Sequence, residues 1–219
     1  MAFLVPPLGF LLATLGWWTL AENWMGLVLI VVGLSYAIGV IVVLWIKRAK
    51  RWNRRNGGEI AREEKGDRSF WLIIPGMIAI FTLPALEYRL SAGILPRGWP
   101  WQFGGLLLVV VGIGLFLWAA RTLGAGYSQH VSVTHAQPLV QNGPYRLVRH
   151  PAYFGFLLMG LGLAIGYSSL AGFIILPTLL IPGLVYRIKT EECLLEEHFQ
   201  EEHRQYAART KFRLFPGIW

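Results

Sequence analysis

Gly143-Pro144-Tyr145-Arg146-Leu147-Val148-Arg149-His150-Pro151-Ala152-Tyr153 is the stretch on which the reading of this chain turns. Two arginines, a histidine, two tyrosines and two prolines stand together at the mouth of an apolar run. Ionisable groups are costly in hydrocarbon, so they gather at a membrane interface or in a cavity. A second charged cluster, Arg187-Ile188-Lys189-Thr190-Glu191-Glu192, follows one apolar hairpin later. The two clusters are expected to form two walls of one site.

Outward from that stretch, the chain is dominated by apolar runs of near-membrane length. Of its 219 residues 55% are hydrophobic and mean hydropathy is +0.50, which indicates an all-α polytopic membrane protein rather than a soluble one. The net charge of +8 would suggest nucleic acid in a soluble chain. Here the basic residues flank apolar runs and mark the cytoplasmic side, and no basic stripe with stacking aromatics is present. Cys193 is the only cysteine, so no intrachain disulfide and no cysteine metal cluster can form. With no basic leader segment or cleavage site before it, the first apolar run is expected to stay in the mature protein.

Six crossings are expected, over residues 3–20, 24–46, 69–86, 102–120, 152–170 and 171–186. The last two make a tight hairpin. Pro75 and Pro84 should kink or break the third span. Gly104, Gly105, Gly112 and Gly114 in the fourth, and Gly162 and Gly166 in the fifth, permit close helix approach. Residues 47–68 hold nine of the twenty Lys/Arg and are read as a cytoplasmic loop, and 87–100 as an outward one. Eighteen of the twenty basic residues then lie inside, together with both termini. Residues 121–150 form a long cytoplasmic connection, and connections of that length tend to carry function. Residues 187–210 read as a polar helix with Ile188, Leu195, Phe199 and Tyr206 on one face. The chain thus divides into N-terminal transmembrane helices, 1–120, and a site-bearing core, 121–219.

The chemistry in these clusters has limits. His130, His135 and His150 are not spaced as a helical metal pair and have no acid among them, so no metal is expected. No nucleophile elbow and no phosphate-binding glycine loop occurs. Arg187 and Glu191 are four apart and share a helix face, which the hairpin returns to the His150–Tyr153 corner. An arginine there can clamp a carboxylate, and a glutamate can hold an amine or a ribose hydroxyl. The same residues also fit a helix boundary and an interfacial arginine, so the residues alone leave both readings open.

The pattern Gln137-Pro138-Leu139-Val140-Gln141-Asn142-Gly143-Pro144-Tyr145, Arg149-His150-Pro151-Ala152-Tyr153, an apolar hairpin and Arg187 to Glu192 resembles the isoprenylcysteine carboxyl methyltransferase family. That family shares it with membrane phospholipid N-methyltransferases. The resemblance covers about residues 121–219 and implies S-adenosylmethionine as methyl donor, bound in a cytoplasmic pocket. It implies that His130, Gln137, Pro138, Leu139, Val140, Tyr145, His150, Pro151, Ala152, Tyr153 and Glu191 contact the cofactor. It places Arg187 at the position that holds the acceptor carboxylate and makes Arg187 and Glu191 the catalytic pair. The acceptor would be an isoprenylcysteine or similar lipophilic molecule entering from the bilayer, in a bacterial inner membrane or the endoplasmic reticulum. A lipid-amine N-methyltransferase is the rival, and a small transporter is disfavoured because no charge lies within a span.

Overall fold

In the computed structural model the described residues are 5–34, 62–63, 70–90, 95–123, 132–133, 139–215 and 217–219. Six apolar helices follow one another among them: α1 (Val5–Leu20), α2 (Met25–Leu34), α3 (Phe70–Leu90), α4 (Trp99–Leu123), α5 (Pro151–Gly166) and α6 (Leu170–Phe199). A polar helix, α7 (Glu201–Arg209), completes the chain's helical part. The architecture is that of a polytopic membrane protein. Three helices, within α3, α4 and α6, are long and apolar enough to cross a bilayer, and α5 is shorter. The second span and the basic loop at 47–68 fall largely outside the described residues. Arg62–Glu63 pairs antiparallel with Ser132–Val133, tying that loop to the long connection after α4.

Pro75 and Pro84 both lie inside α3, and neither breaks it. Helix α4 packs antiparallel against α5 through glycines seven apart on each. A Cβ on Gly105 would stand 2.5 Å from the Gly162 carbonyl oxygen, and one on Gly112 would stand 2.6 Å from that of Gly155. Backbones this close admit no side chain and gain dispersion and weak polar contacts in return. Gly104 and Gly114, expected in the same role, face open space instead. The outer face of α4, including Phe103, Leu107 and Val110, is exposed as a lipid-facing surface should be, while Val109 and Ala119 are buried.

The hairpin turns at Tyr167–Ser169, and the second arm does not end at residue 186. It runs unbroken to Phe199, about 45 Å at 1.5 Å per residue. A hydrocarbon layer is about 30 Å thick, so the charged C-terminal third projects beyond it. Leu176–Leu180, which contains Pro177 and is followed by Pro182, is wound as a π-helix. A proline has no N–H for the α-helical ladder, and the wider turn accommodates the gap. At Gln200 the backbone swings to φ 47° and starts α7 in a new direction. Ile188 and Tyr206 are buried as expected, but Leu194 rather than Leu195 turns inward.

The turn at residues 20–24, the segment 95–99 and the turn at 167–169 all meet at one end of the bundle, which polar groups knit together. Tyr88 Oη and Gln102 Nε2 both donate to the Glu22 carbonyl, and Asn23 Nδ2 donates to that of Gly166. Glu87 accepts from the Leu170 and Ala171 N–H groups and the Ser169 hydroxyl, while Ser169 Oγ accepts from Gly172 N. The first three amides of α6, which have no partner within the helix, are thereby satisfied.

Candidate functional site

The opposite end of the bundle holds the charged clusters. Pro151 begins α5, where its missing N–H and fixed φ suit the first helical position, and His150 caps it. The segment before it is pinned to the chain's end. Arg149 N donates to the Phe212 carbonyl and His150 N to that of Arg213. Leu214 is buried, with Phe215 and Trp219 packed beside it against α3, α5 and α6. The tail therefore folds back into the helix bundle rather than lying on the membrane surface.

Glu192 is the hub of this end. Its carboxylate accepts two parallel bonds from Arg149, 2.7 Å from Nε and 2.8 Å from Nη2, and a third from Arg213 Nε at 3.1 Å. His150 Nε2 lies 3.0 Å from Glu192 Oε1. An ionised carboxylate can only accept, so this contact places the imidazole proton on Nε2 and turns Nδ1 towards Glu191, 3.8 Å away. Arg149 Nη1 donates further to the Thr210 and Lys211 carbonyls. Arg149, His150 and Glu192 are all buried. A buried charge needs such full pairing to be tolerated.

One turn of chemistry beside the hub stand Arg187, Tyr153 and Glu191. Arg187 Nε donates to Tyr153 Oη at 2.7 Å, and Tyr153 Oη donates to Glu191 Oε2 at 2.9 Å. The His150 and Tyr153 rings stack with centroids 5.8 Å apart. Arg187 is 7% exposed, whereas the Glu191 side chain keeps 32%. The phenol thus fixes the arginine and the glutamate relative to each other. The cluster offers a guanidinium for an anion and a half-open carboxylate for a cation or hydroxyl.

A cavity of about 640 Å³ lies between the end of α4, the segment 139–146 and α7. Leu139, Val140, Arg146, Tyr206 and Arg209 line it, together with Thr210, whose carbonyl is held by Arg149. Tyr206 Oη donates to the Tyr145 carbonyl, and burial pushes the phenol's pKa upward, which keeps that proton in place.

Of the residues expected to serve a cofactor, the structure gathers His150, Tyr153 and Glu191 at the cluster, with Pro151 and Ala152 in the first turn of α5 below them. Leu139 and Val140 line the cavity, and Tyr145 sits at its edge through its carbonyl. His130, Gln137 and Pro138 lie outside the described residues. The sequence reading passed over Glu192 and assigned no role to Arg149. Four-residue spacing with Arg187 singled out Glu191, while the partners of Glu192 come from another segment. The adjacent pair Glu191-Glu192 was itself the available signal.

Residues 101–202 match the family model described as phospholipid methyltransferase. The probable protein-S-isoprenylcysteine O-methyltransferase of Oryza sativa subsp. indica is 26% identical over 143 residues, 63% of this chain and 75% of that protein. Protein-S-isoprenylcysteine O-methyltransferase A of Arabidopsis thaliana is 28% identical over 131 residues, 57% of this chain and 66% of that one. The uncharacterised Bacillus subtilis protein YpbQ is 26% identical over 165 residues, 73% of this chain and 96% of its own length.

Proposed function

We propose, for a chain that belongs with the isoprenylcysteine carboxyl methyltransferases and is an enzyme of that membrane methyltransferase class, that it transfers a methyl group from S-adenosylmethionine to the carboxylate of a lipophilic acceptor. The observation that carries this reading is the convergence of Arg187, Tyr153, Glu191 and His150 at the mouth of the α5–α6 hairpin. Residues 121–219 are the catalytic core in this reading, and the helices of 1–120 are its scaffold.

The residues present fit such a donor. Apolar Leu139 and Val140 suit a purine face, and the carboxylate of Glu191 suits a ribose hydroxyl or an ammonium group. S-adenosylmethionine, when bound, supplies an electrophilic methyl carbon on a sulfonium. The acceptor carboxylate is already ionised at neutral pH and is itself the nucleophile, so no side chain need take a proton. Arg187 holds that carboxylate, charge to charge, with its own orientation fixed by the Tyr153 hydroxyl. The buried pair of Arg149 and Glu192, joined by the half-exposed Arg213, holds the tail in place beside the site and helps to exclude water. Alignment of this kind is what such a displacement needs. The acceptor's hydrocarbon chain enters from the bilayer. The charged end of the bundle then faces the cytoplasm with the basic loop, in a bacterial inner membrane or the endoplasmic reticulum.

The family model's own description favours a second reading, in which the acceptor is a phospholipid amine. A buried arginine against the acceptor disfavours it, since like charges repel. The two readings separate in one assay. Membranes containing the protein receive labelled S-adenosylmethionine with a prenylated cysteine or phosphatidylethanolamine, and the product is treated with base. Label released as methanol is the expected outcome and identifies a methyl ester. Base-stable label in the headgroup identifies N-methylation and removes the role given to Arg187.

A further inference from the structure

The cavity between the segment 139–146 and α7 carries a feature that the reading above does not use. Arg146 and Arg209 both line it, and among the described lining residues there is no acid. Each is put there by local structure. Gly143, at φ 57°, opens the 3₁₀ turn Gly143–Arg146 so close to α4 that a Cβ would stand 2.9 Å from Thr122 Oγ1. The turn therefore rests on the end of α4, and its last residue, Arg146, lines the cavity. Arg209 comes from the last turn of α7, across the gap, and its Nη2 donates to Gln141 Oε1 at 2.7 Å. The nearest carboxylate in that chain of contacts, on Glu202, accepts from Gln141 Nε2 at 3.4 Å, one side chain removed from the arginine. Of the other polar lining groups, Asn142 offers an amide, while the Thr122 and Tyr206 hydroxyls already donate to the Trp118 and Tyr145 carbonyls.

A cavity with two guanidiniums, the Asn142 amide and an apolar wall of Leu139 and Val140 suits a ligand with one anionic end and one flat apolar part. Its volume of about 640 Å³ lies within the range that takes small molecules. We infer that Arg146 and Arg209 bind the amino-acid carboxylate of the methyl donor, so that the donor lies with that end between α7 and the 3₁₀ turn. The inference rests on the cofactor reading above and adds to it the orientation of the donor.

The test is a binding measurement on the full chain in phosphatidylcholine nanodiscs, with S-adenosylmethionine and its decarboxylated analogue as the two probes. Wild type should bind the first more tightly. Arg146→Gln and Arg209→Gln should each weaken it by about ten- to a hundredfold, the effect of losing one charge-assisted bond, and leave the analogue's affinity unchanged. Arg209→Lys, which keeps the charge but not the fork, should recover part of the loss. Equal weakening of both probes, or no preference in wild type, overturns the carboxylate assignment while the donor reading survives. Failure of wild type to bind either probe sinks the donor reading itself. A third arm adds phosphatidylglycerol. If it displaces the donor from wild type but not from Arg146→Gln, the pair serves a lipid phosphate and the inference is wrong.

Discussion

Two carboxylates, Glu87 and Glu192, sit at opposite ends of the same bundle, and their partners differ in kind. Glu87 accepts from two backbone amides and a serine at the start of α6. Glu192 accepts from Arg149, Arg213 and His150, side chains drawn from two other segments. The first arrangement completes a helix terminus, where negative charge is favoured by the exposed N–H groups. The second holds chemically competent groups in a fixed relation. In a chain this apolar, buried polarity alone does not mark a functional site, because the turn end is as polar as the site end. The identity of the partners separates them.

The sharpest way to break this contrast is Glu192→Ala. Removing one partner of a buried ion cluster leaves two guanidiniums facing each other, at a cost of about 3–5 kcal/mol. The segment after α7 should detach, and tryptic cleavage near Lys211 and Arg213 should accelerate by more than a hundredfold. Unchanged cleavage would show that the tail is held by Leu214 and Phe215 alone. Next in size is Arg187→Ala, which should lower methyl transfer by at least about a hundredfold, as expected for a misaligned displacement, while leaving tail cleavage at the wild-type rate. Turnover within a few-fold of wild type would remove Arg187 from the site. Glu87→Ala should cost about 1 kcal/mol, the usual loss for a helix cap, seen as a lower melting temperature with normal turnover per folded molecule. A loss of turnover there would erase the distinction between the two ends.

The smallest effect concerns His203, buried on α7. Burial holds its pKa below the ordinary value of 6.5, against an opposing pull from Glu192. A group that resists protonation when folded takes up the proton more readily when exposed. Docking of α7 is therefore weakened as pH falls from 7 through about 6. Tail cleavage should rise over that window, and His203→Gln should flatten the rise.

Much of this structure could be read from the chain itself, and the failures have identifiable causes. Long apolar runs gave the helices and their order, because hydrocarbon leaves the backbone few alternatives. The positions of the ends were less accessible. Residues 187–199 are polar, yet they continue α6, since a helix already formed propagates through residues that merely tolerate it. The break at Gln200 carries no glycine or proline to announce it. Gly105 and Gly112 look no different from Gly104 and Gly114 until the seven-residue spacing is matched to Gly155 and Gly162 on the facing helix. At the site, Arg187 and Glu191 were legible from spacing within one helix. Glu192, one residue further on, points about 100° away, so its importance depends on where a distant segment folds. Arg146 and Arg209 belong together only because α7 turns back across the end of α4.

The π-helical stretch at Leu176–Leu180 has a consequence for how this protein can change over time. Each π-turn holds one residue more than the α-helix needs, so everything after it is rotated by about 100° relative to an uninterrupted helix. Arg187 and Glu191 face Tyr153 because that extra residue is present. Substitutions at its outward positions can be absorbed by lipid, whereas Leu176 and Leu180 are buried in the core. A single deletion there would rewind the helix and aim the same unaltered side chains elsewhere. The length of this segment therefore matters more to the aim of those side chains than its letters do.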